Sequence, residues 1–306
     1  MKILVTGGAG FIASHIVDAY INAGHRIIVV DNLSSGFRKN LNPKAVFYKA
    51  DITNARAIET IFKKEKPEVV NHHAAVVEII KSLRDPLPTL TVNILGTANL
   101  LAQFARYGTG KNKKFIFAST GGALYGEPRK IPANESTPIL PLSPYGLSKK
   151  LAEDTIRYYG RMHNFDYFIL RYANVYGPRQ NPKGEAGVVA IFSGLMKKGI
   201  TPTIFGDGTK SRDYVYVGDI AHANLLATKR GKNDAVNIGS GKTISDQKIF
   251  DTIANVTGFT GKPNYAPYRK GEVYRISLDA QRAKRILGWN PSVKFEEGIS
   301  RTAATI

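Results

Sequence analysis

The chain of 306 residues contains no cysteine, which excludes a disulfide framework, a thiolate metal site and a cysteine nucleophile. No uninterrupted apolar stretch approaches the ~20 residues that cross a bilayer, and no basic start leads into an apolar export segment. A soluble cytoplasmic protein without a membrane partner is the expectation. Acidic residues are scarce: 24 Asp and Glu against 43 Lys and Arg leave a net charge of +19. Such a field attracts polyanions. The excess is nevertheless scattered in pieces such as KKEK (63–66), KNKK (111–114) and KK (197–198), not gathered into a patch interleaved with aromatics, so no specific nucleic-acid partner is expected. Internal repeats, low-complexity tracts and long linkers are missing as well. Any lobes should share one compact body.

What is present is a regular alternation of strand-length apolar runs with helical patterns, the mark of a parallel sheet covered on both faces. Strands are expected at 2–7, 26–32, 46–52, 68–75, 114–120 and 166–177. Beyond about residue 178 the rhythm shortens and Gly-rich turns appear, namely NPKGEAG, FGDGTK and NIGSGK, which predicts a second, smaller lobe. The fold class is therefore α/β, a doubly wound parallel sheet with a smaller α/β lobe for substrate. Residues 1–177 form the first domain and 178–306 mainly the second, with segments near 212–240 returning to the first.

The first strand runs into VTGGAGFIASH, where Gly7, Gly10 and Ala13 are spaced GxxGxxA at the opening of a helix. A dinucleotide site of the Rossmann kind needs a turn that only glycine tolerates, a backbone close enough to touch pyrophosphate, a small residue where helix meets sheet, and a helix N-terminus aimed at the anion. Asp31 ends the second strand where an acceptor for ribose hydroxyls belongs, and an acid there favours NAD over NADP. Asp51, in ADI at the end of the third strand, suits the adenine amino group, and serves equally well as a helix cap.

In SPYGLSKK, Tyr145 and Lys149 stand four apart at a helix start and so share a face. A tyrosine, whose pKa is ordinarily about 10, acts as a base near neutrality only where a cation favours its phenolate. Lys149 and a positive nicotinamide ring would both do so. FIFAST places Ser119 and Thr120 at the carboxyl end of the fifth strand, where doubly wound sheets bind ligands. His72 and His73 are adjacent on a strand and point to opposite faces, with no third ligand at a helpful spacing, so no metal site is expected.

Taken in order, VTGGAGFIASH, DNLSSG, ADI, HHAA, VNILGT, FIFASTGGALYG, SPYGLSKK and RYANVYGP resemble the extended short-chain dehydrogenase/reductase family, and within it the UDP-glucose 4-epimerases. FGDGTKSRDYVYVGDIA and YRKGEVYRISLDAQRAKRILGW resemble that group's nucleotide-sugar segments. The resemblance implies a C4 epimerase of UDP-glucose and UDP-galactose that oxidises the sugar transiently with bound NAD. It makes Tyr145 the base, gives Lys149 the nicotinamide ribose, and sets Thr120 against the sugar O4. NAD contacts fall on Gly7, Gly10, Phe11, Ile12, Asp31, Asn32, Ser35, Gly36, Asp51, Ile52, Ala74 and Asn93, and UDP contacts on Asn174, Val188, Phe205, Arg212, Arg269 and Glu272. Arg212 and Arg269 are suited to a diphosphate, Phe205 to the uracil face, and Glu272 to a ribose hydroxyl. The resemblance further implies that Ile276, four after Glu272, gates substituents at C2 of the sugar.

The chain departs from the family pattern at Ala13 (usually Gly), Ala118 (commonly Ser) and Val76 (frequently Gln). Relatives that act as 4,6-dehydratases commonly carry Asp-Glu or Ser-Glu right after the Thr, and here Gly121 and Gly122 follow Thr120, so dehydration is not expected. An epimerase or decarboxylase of UDP-glucuronate shares most of the cofactor site and stays open as an alternative, as does another nucleotide-sugar enzyme of the family. A catalytically idle NAD-binding module would not need Thr120, Tyr145 and Lys149. A homodimer is expected through the helices after VNILGT and SPYG, on the second of which Leu151, Thr155, Tyr158 and Met162 form an apolar stripe that intrachain packing would bury equally well.

Overall fold

A computed structural model describes residues 1–182, 187–269 and 271–306. Its body is a seven-stranded parallel sheet built from β1 (Lys2–Thr6), β2 (Arg26–Asp31), β3 (Val46–Lys49), β4 (Val69–His72), β5 (Lys114–Thr120), β6 (Asp166–Tyr172) and a late strand, Asp234–Ile238. From one edge to the other the order is β3-β2-β1-β4-β5-β6 followed by that late strand. The chain winds outward in one direction from β1 and in the other from β4. A crevice therefore opens between their carboxyl ends, the place where such sheets take ligands.

Alternation along each strand explains why both faces are covered. Ile3, Val5, Ile27, Val29, Val69 and Ile116 enter one core cluster, while Leu4, Ile28, Val30, Val70, Phe115 and Phe117 enter the other. Successive side chains point to opposite faces, and both are apolar because helices lie on each. Against the first face pack α1 (Phe11–Asn22) and the later helix Val217–Ala227; against the second pack α2 (Ala55–Glu65), α5 (Thr97–Tyr107) and α6 (Pro144–His163), with the short α3 (Ile79–Arg84) and α4 (Pro86–Leu90) beside α6.

Where the expected strand 166–177 runs, the structure splits it. β6 stops at Tyr172; Ala173 N–H still donates to Ile238 O (2.9 Å), but Asn174 N–H turns to Asp213 O (2.9 Å). Thus β7 (Asn174–Tyr176) leaves the sheet and pairs in parallel with Tyr214–Tyr216. Two other strands are shorter than expected. β3 ends at Lys49, which leaves Asp51 in the turn before α2, and β4 ends at His72 because the next two amides go to Thr6: His73 N–H to its carbonyl (3.2 Å) and Ala74 N–H to its hydroxyl (3.1 Å).

Beyond β7 come α7 (Val188–Met196), β8 (Thr203–Phe205), β9 (Ser211–Arg212), β10 (Tyr214–Tyr216), α8 (Val217–Ala227), β11 (Asp234–Ile238, the late strand), β12 (Ile244–Ser245), α9 (Asp246–Thr257), β13 (Asn264–Ala266), α10 (Gln281–Leu287) and α11 (Phe295–Ala303). Residues of α7, β8, β10, α9 and α11 meet in a third cluster around Phe192, Ile204, Ile249 and Ile299. Of the turn read in NPKGEAG, residues 183–186 lie outside the described residues. Among the described residues no helix is long and apolar enough to cross a membrane. The stripe on α6 is not buried within the chain. Leu151, Tyr158 and Met162 are exposed.

Candidate active site

The turn from β1 into α1 has the shape a diphosphate requires. Gly7 sits at φ +71°, and a Cβ there would stand 2.8 Å from Ala74 N, so glycine is needed for both its conformation and its close approach. Gly10, extended, is the N-cap of α1 and offers no side chain to the orphan amides of the first turn, where Phe11 and Ile12 lie. Ala13 is buried where α1 meets the sheet, and its methyl is accommodated in the core. Asp31 closes the loop from below, with one carboxylate oxygen accepting from Ala9 N–H (3.0 Å) and the other from Leu33 N–H (2.7 Å). Gly36 packs so tightly on Ala9 that a Cβ would lie 2.9 Å from it, while Ser35 is exposed beside it. Asn32 donates to Asp51 (2.8 Å), bringing two expected adenosine-side residues together. Burial works against the Asp51 carboxylate, but hydrogen bonds from Thr53 and Asn32 hold its pKa below the usual value.

These features fit NAD: an anion cradle whose Gly7 cannot be replaced without collision, and beside it a carboxylate that retains lone pairs for ribose hydroxyls. Two expected contacts have other work. Asn93 is buried and spends its amide on Val76, donating to its carbonyl (2.9 Å) and accepting from its N–H (2.8 Å), and on Ser148 Oγ (2.9 Å). It ties the loop after β4 to α6. The Ile52 side chain is turned into the core against Gly96, and its carbonyl accepts from Asn99 Nδ2 (2.7 Å). His72, completely enclosed, is spanned by Thr6 at Nδ1 (2.7 Å) and Thr97 at Nε2 (2.8 Å). Thr97 gives its own proton to Asn93 O (2.6 Å), so His72 donates from Nε2 and accepts at Nδ1.

On the other side of the crevice, Ser143 caps α6 by accepting from Gly146 N–H (3.2 Å), and Pro144 occupies the first turn. This fixes Tyr145 and Lys149 one turn apart at the mouth of β5. Lys149 is buried: its ammonium donates to Ala118 O (2.8 Å) and lies 4.7 Å from the Phe117 ring centroid. Burial lowers its pKa to about 7, with Glu153 as the opposing influence. Burial raises Tyr145 to about 12 against a hydrogen bond from Thr120. In the ligand-free site burial thus pushes both groups toward neutrality, Tyr145 upward and Lys149 downward. Thr120 Oγ1 also accepts from Ala123 N–H (3.2 Å).

Sequence reasoning passed over what supports this pair. Ser119 does not face the crevice with Thr120; it donates to Glu153 Oε1 (2.6 Å). Glu153 is fully enclosed and gripped by Arg171 through Nε (3.0 Å) and Nη2 (2.7 Å), with Arg157 adding a contact at 2.9 Å. Arg171 also donates to Tyr125 Oη (2.9 Å). The only signal in the sequence was Glu153 standing four residues after Lys149.

Of the expected substrate residues, Arg269 meets both Phe205 and Glu272. Asn174 begins β7, with its Oδ1 3.1 Å from where a Cβ on Gly122 would lie, and Val188 opens α7. Phe205 ends β8, and the Arg269 guanidinium lies 3.5 Å from its ring centroid. Arg212 on β9 is buried and donates to Tyr274 O (2.7 Å) and Ser211 O (3.2 Å). Glu272 lies between Arg269 (3.9 Å) and Lys210 (2.5 Å). Ile276, expected to gate substituents at C2 of the sugar, is 1% exposed and packed in the main core.

Comparison with known proteins agrees with this geometry. The family model for the NAD dependent epimerase/dehydratase family matches residues 3–239. UDP-glucose 4-epimerase of Mycolicibacterium smegmatis is 41% identical over 308 residues, which span 99% of this chain and 97% of that one. A solved structure of UDP-glucose 4-epimerase with UDP-glucose from Thermotoga maritima aligns with a TM-score of 0.97 at 48% identity, over 99% of this chain and 98% of that one. Another, from Thermus thermophilus in complex with NAD, aligns at 0.94 and 40% identity, over 99% and 98%. With its glycine cradle, its Asp31 and its Tyr145–Lys149 pair on a doubly wound sheet, this chain belongs to the NAD-dependent epimerase/dehydratase family.

Proposed function

We propose that this chain is a UDP-hexose 4-epimerase that interconverts UDP-glucose and UDP-galactose on resident NAD. The observation that carries the reading is the convergence of Thr120, Tyr145 and Lys149 beside the Gly7–Gly10 cradle at the carboxyl edge of the sheet. When bound, NAD supplies a hydride acceptor that later returns what it took, so the net reaction is redox neutral. Tyr145 removes the proton from the sugar 4-hydroxyl and gives it back. Thr120 hydrogen-bonds the same oxygen, and Lys149 holds the nicotinamide ribose and stabilises the phenolate. Because the site alone holds Tyr145 near 12, the base operates only when positive charge enters with the cofactor. The sugar must turn over between the two transfers while the nucleotide stays fixed. Arg212 and Arg269 hold the diphosphate, Phe205 the uracil, and Asn174, Val188 and Glu272 the rest of UDP.

The positions after Thr120 support epimerisation over dehydration. A Cβ on Gly121 would meet Leu278 at 2.3 Å, so no acidic side chain could stand there without repacking. The division at 177 is supported by the third core cluster, built from residues beyond it apart from Tyr176, and the return of 212–240 by β11 in the main sheet and α8 on α1. A twofold dimer is supported by the exposed Leu151, Tyr158 and Met162 of α6 together with Leu87 and Leu95 on the neighbouring segments. The substrate pair gives the chain a place in galactose metabolism.

The decisive experiment incubates purified protein with UDP-galactose, adds no cofactor, and follows UDP-glucose, with UDP-glucuronate in parallel. UDP-glucose should form, and the denatured protein should release NAD. Turnover of UDP-glucuronate alone, or release of NADP, would overturn the proposal.

A further inference from the structure

Lys210 belongs to none of the sets above, yet it is placed among them. It follows the turn containing Gly206 and Gly208, immediately before β9. Its ammonium bridges two carboxylates, 2.5 Å from Glu272 Oε2 and 3.2 Å from Asp246 Oδ2, and the three side chains are only 12%, 22% and 9% exposed. Two of these residues stand on firm ground. Asp246 N–H donates to Lys210 O (2.9 Å), β12 pairs with β9, and Ser245 caps α9 by accepting from Lys248 N–H (3.1 Å). Glu272 stands on irregular chain between β13 and α10, next to Gly271 at φ +82°. Two residues on, Tyr274 O accepts from Ser211 N–H (3.0 Å), so the backbone is tied to β9 while the direction of the carboxylate is left to its side-chain partners.

We propose that Lys210 is a positioning residue for nucleotide recognition: anchored by Asp246, it grips one oxygen of Glu272 and so presents the other to the ribose hydroxyls. This rests on the reading of Glu272 as a UDP contact. The charges require such a cation. Asp246 and Glu272 would repel each other across this partly dry floor; Arg212 donates to two backbone carbonyls, and Arg269, lying over Phe205, reaches Glu272 Oε1 only at 3.9 Å, so Lys210 at 2.5 Å is the nearer counter-ion. Lys210 offsets one of the two negative charges and lies between them, so neither arginine has to leave the diphosphate to do so. Burial raises the Asp246 carboxyl, and Lys210 is the foremost influence opposing it.

The test compares UDP with 2′,3′-dideoxyuridine diphosphate, which lacks both hydroxyls, by calorimetry on the whole chain. Wild type should prefer UDP by about tenfold or more, the range of a hydrogen bond to a charged group. Glu272→Gln should lose most of that preference, and Lys210→Met should fall to the same level while its affinity for the dideoxy nucleotide stays within about twofold of wild type. If Lys210→Met does not fold, Lys210→Gln replaces it and should show an intermediate preference. An unchanged preference in the lysine variant beside its loss in Glu272→Gln overturns the role of Lys210. So does an equal weakening of both ligands. Absence of any preference in wild type instead defeats the reading of Glu272, and the proposal with it.

Discussion

Replacing Lys149 by methionine should make the cofactor-free protein more stable while abolishing its use as a catalyst. Burial lowers the pKa of this lysine from 10.5 to about 7. At about 1.4 kcal/mol per unit, the ammonium costs the ligand-free fold about 5 kcal/mol at low pH. Methionine fills similar space but leaves Ala118 O without its donor, a loss of about 1 kcal/mol that leaves a net gain of about 4. The sign follows from proton counts. Above pH ~10.5 the lysine is neutral in both states and costs nothing. As pH falls toward 7 the unfolded chain takes up a proton that the folded chain does not, so wild-type stability falls by about 1.4 kcal/mol per unit, and below 7 the deficit is constant. Thermal melts of cofactor-stripped protein at pH 6 should therefore place Lys149→Met roughly 8 °C above wild type, at about 2 °C per kcal/mol for a chain of this size. The gap should close by pH 10. A variant that melts no higher at pH 6, or a gap that does not change with pH, refutes the argument. The expected result would mean that the site stores strain in its charge for use when ligand arrives.

Tyr145→Phe should fold and bind UDP while losing at least ~100-fold in turnover, with Thr120→Val losing less; near-native turnover of the phenylalanine variant would remove Tyr145 as the base. Arg171→Met strands the Glu153 carboxylate in the core and should cost about 3–5 kcal/mol by chemical denaturation, most of it recovered in Arg171→Met/Glu153→Leu; a double variant as weak as the single one would contradict the pairing. Since Ile276 is enclosed, Ile276→Gly should lower stability by about 2–5 kcal/mol and raise kcat/KM for N-acetylated UDP-sugars relative to UDP-glucose, and a fixed ratio would show that it gates nothing. On the proposed dimer, wild type should sediment as a dimer and Leu151→Glu, placed on the exposed face of α6, as a monomer; a monomeric wild type would remove the dimer, and unchanged sedimentation of the variant would move the interface elsewhere.

The sequence by itself determined the sheet, the glycine turn and the chemistry-bearing pair. Apolar runs of strand length, a GxxGxxA turn and a Tyr-x-x-x-Lys step act over a few residues, and their physics is local: steric freedom at Gly7, helix periodicity at Tyr145 and Lys149. It could not show that the run 166–177 divides at Ala173, because the division depends on carbonyls at Asp213 and Ile238 drawing adjacent amides in different directions. Nor could it show that Asn93 serves Val76 and Ser148, that Ile276 is enclosed in the main core, or that the stripe on α6 stays exposed. The protonation of the site was likewise decided only by tertiary structure. A residue type fixes a reference pKa, but the enclosure that raises Tyr145 and lowers Lys149 comes from segments far apart in the chain, as does the Glu153–Arg171 pair beneath them. Burial and charge are properties of the packed volume, and a linear pattern does not contain them.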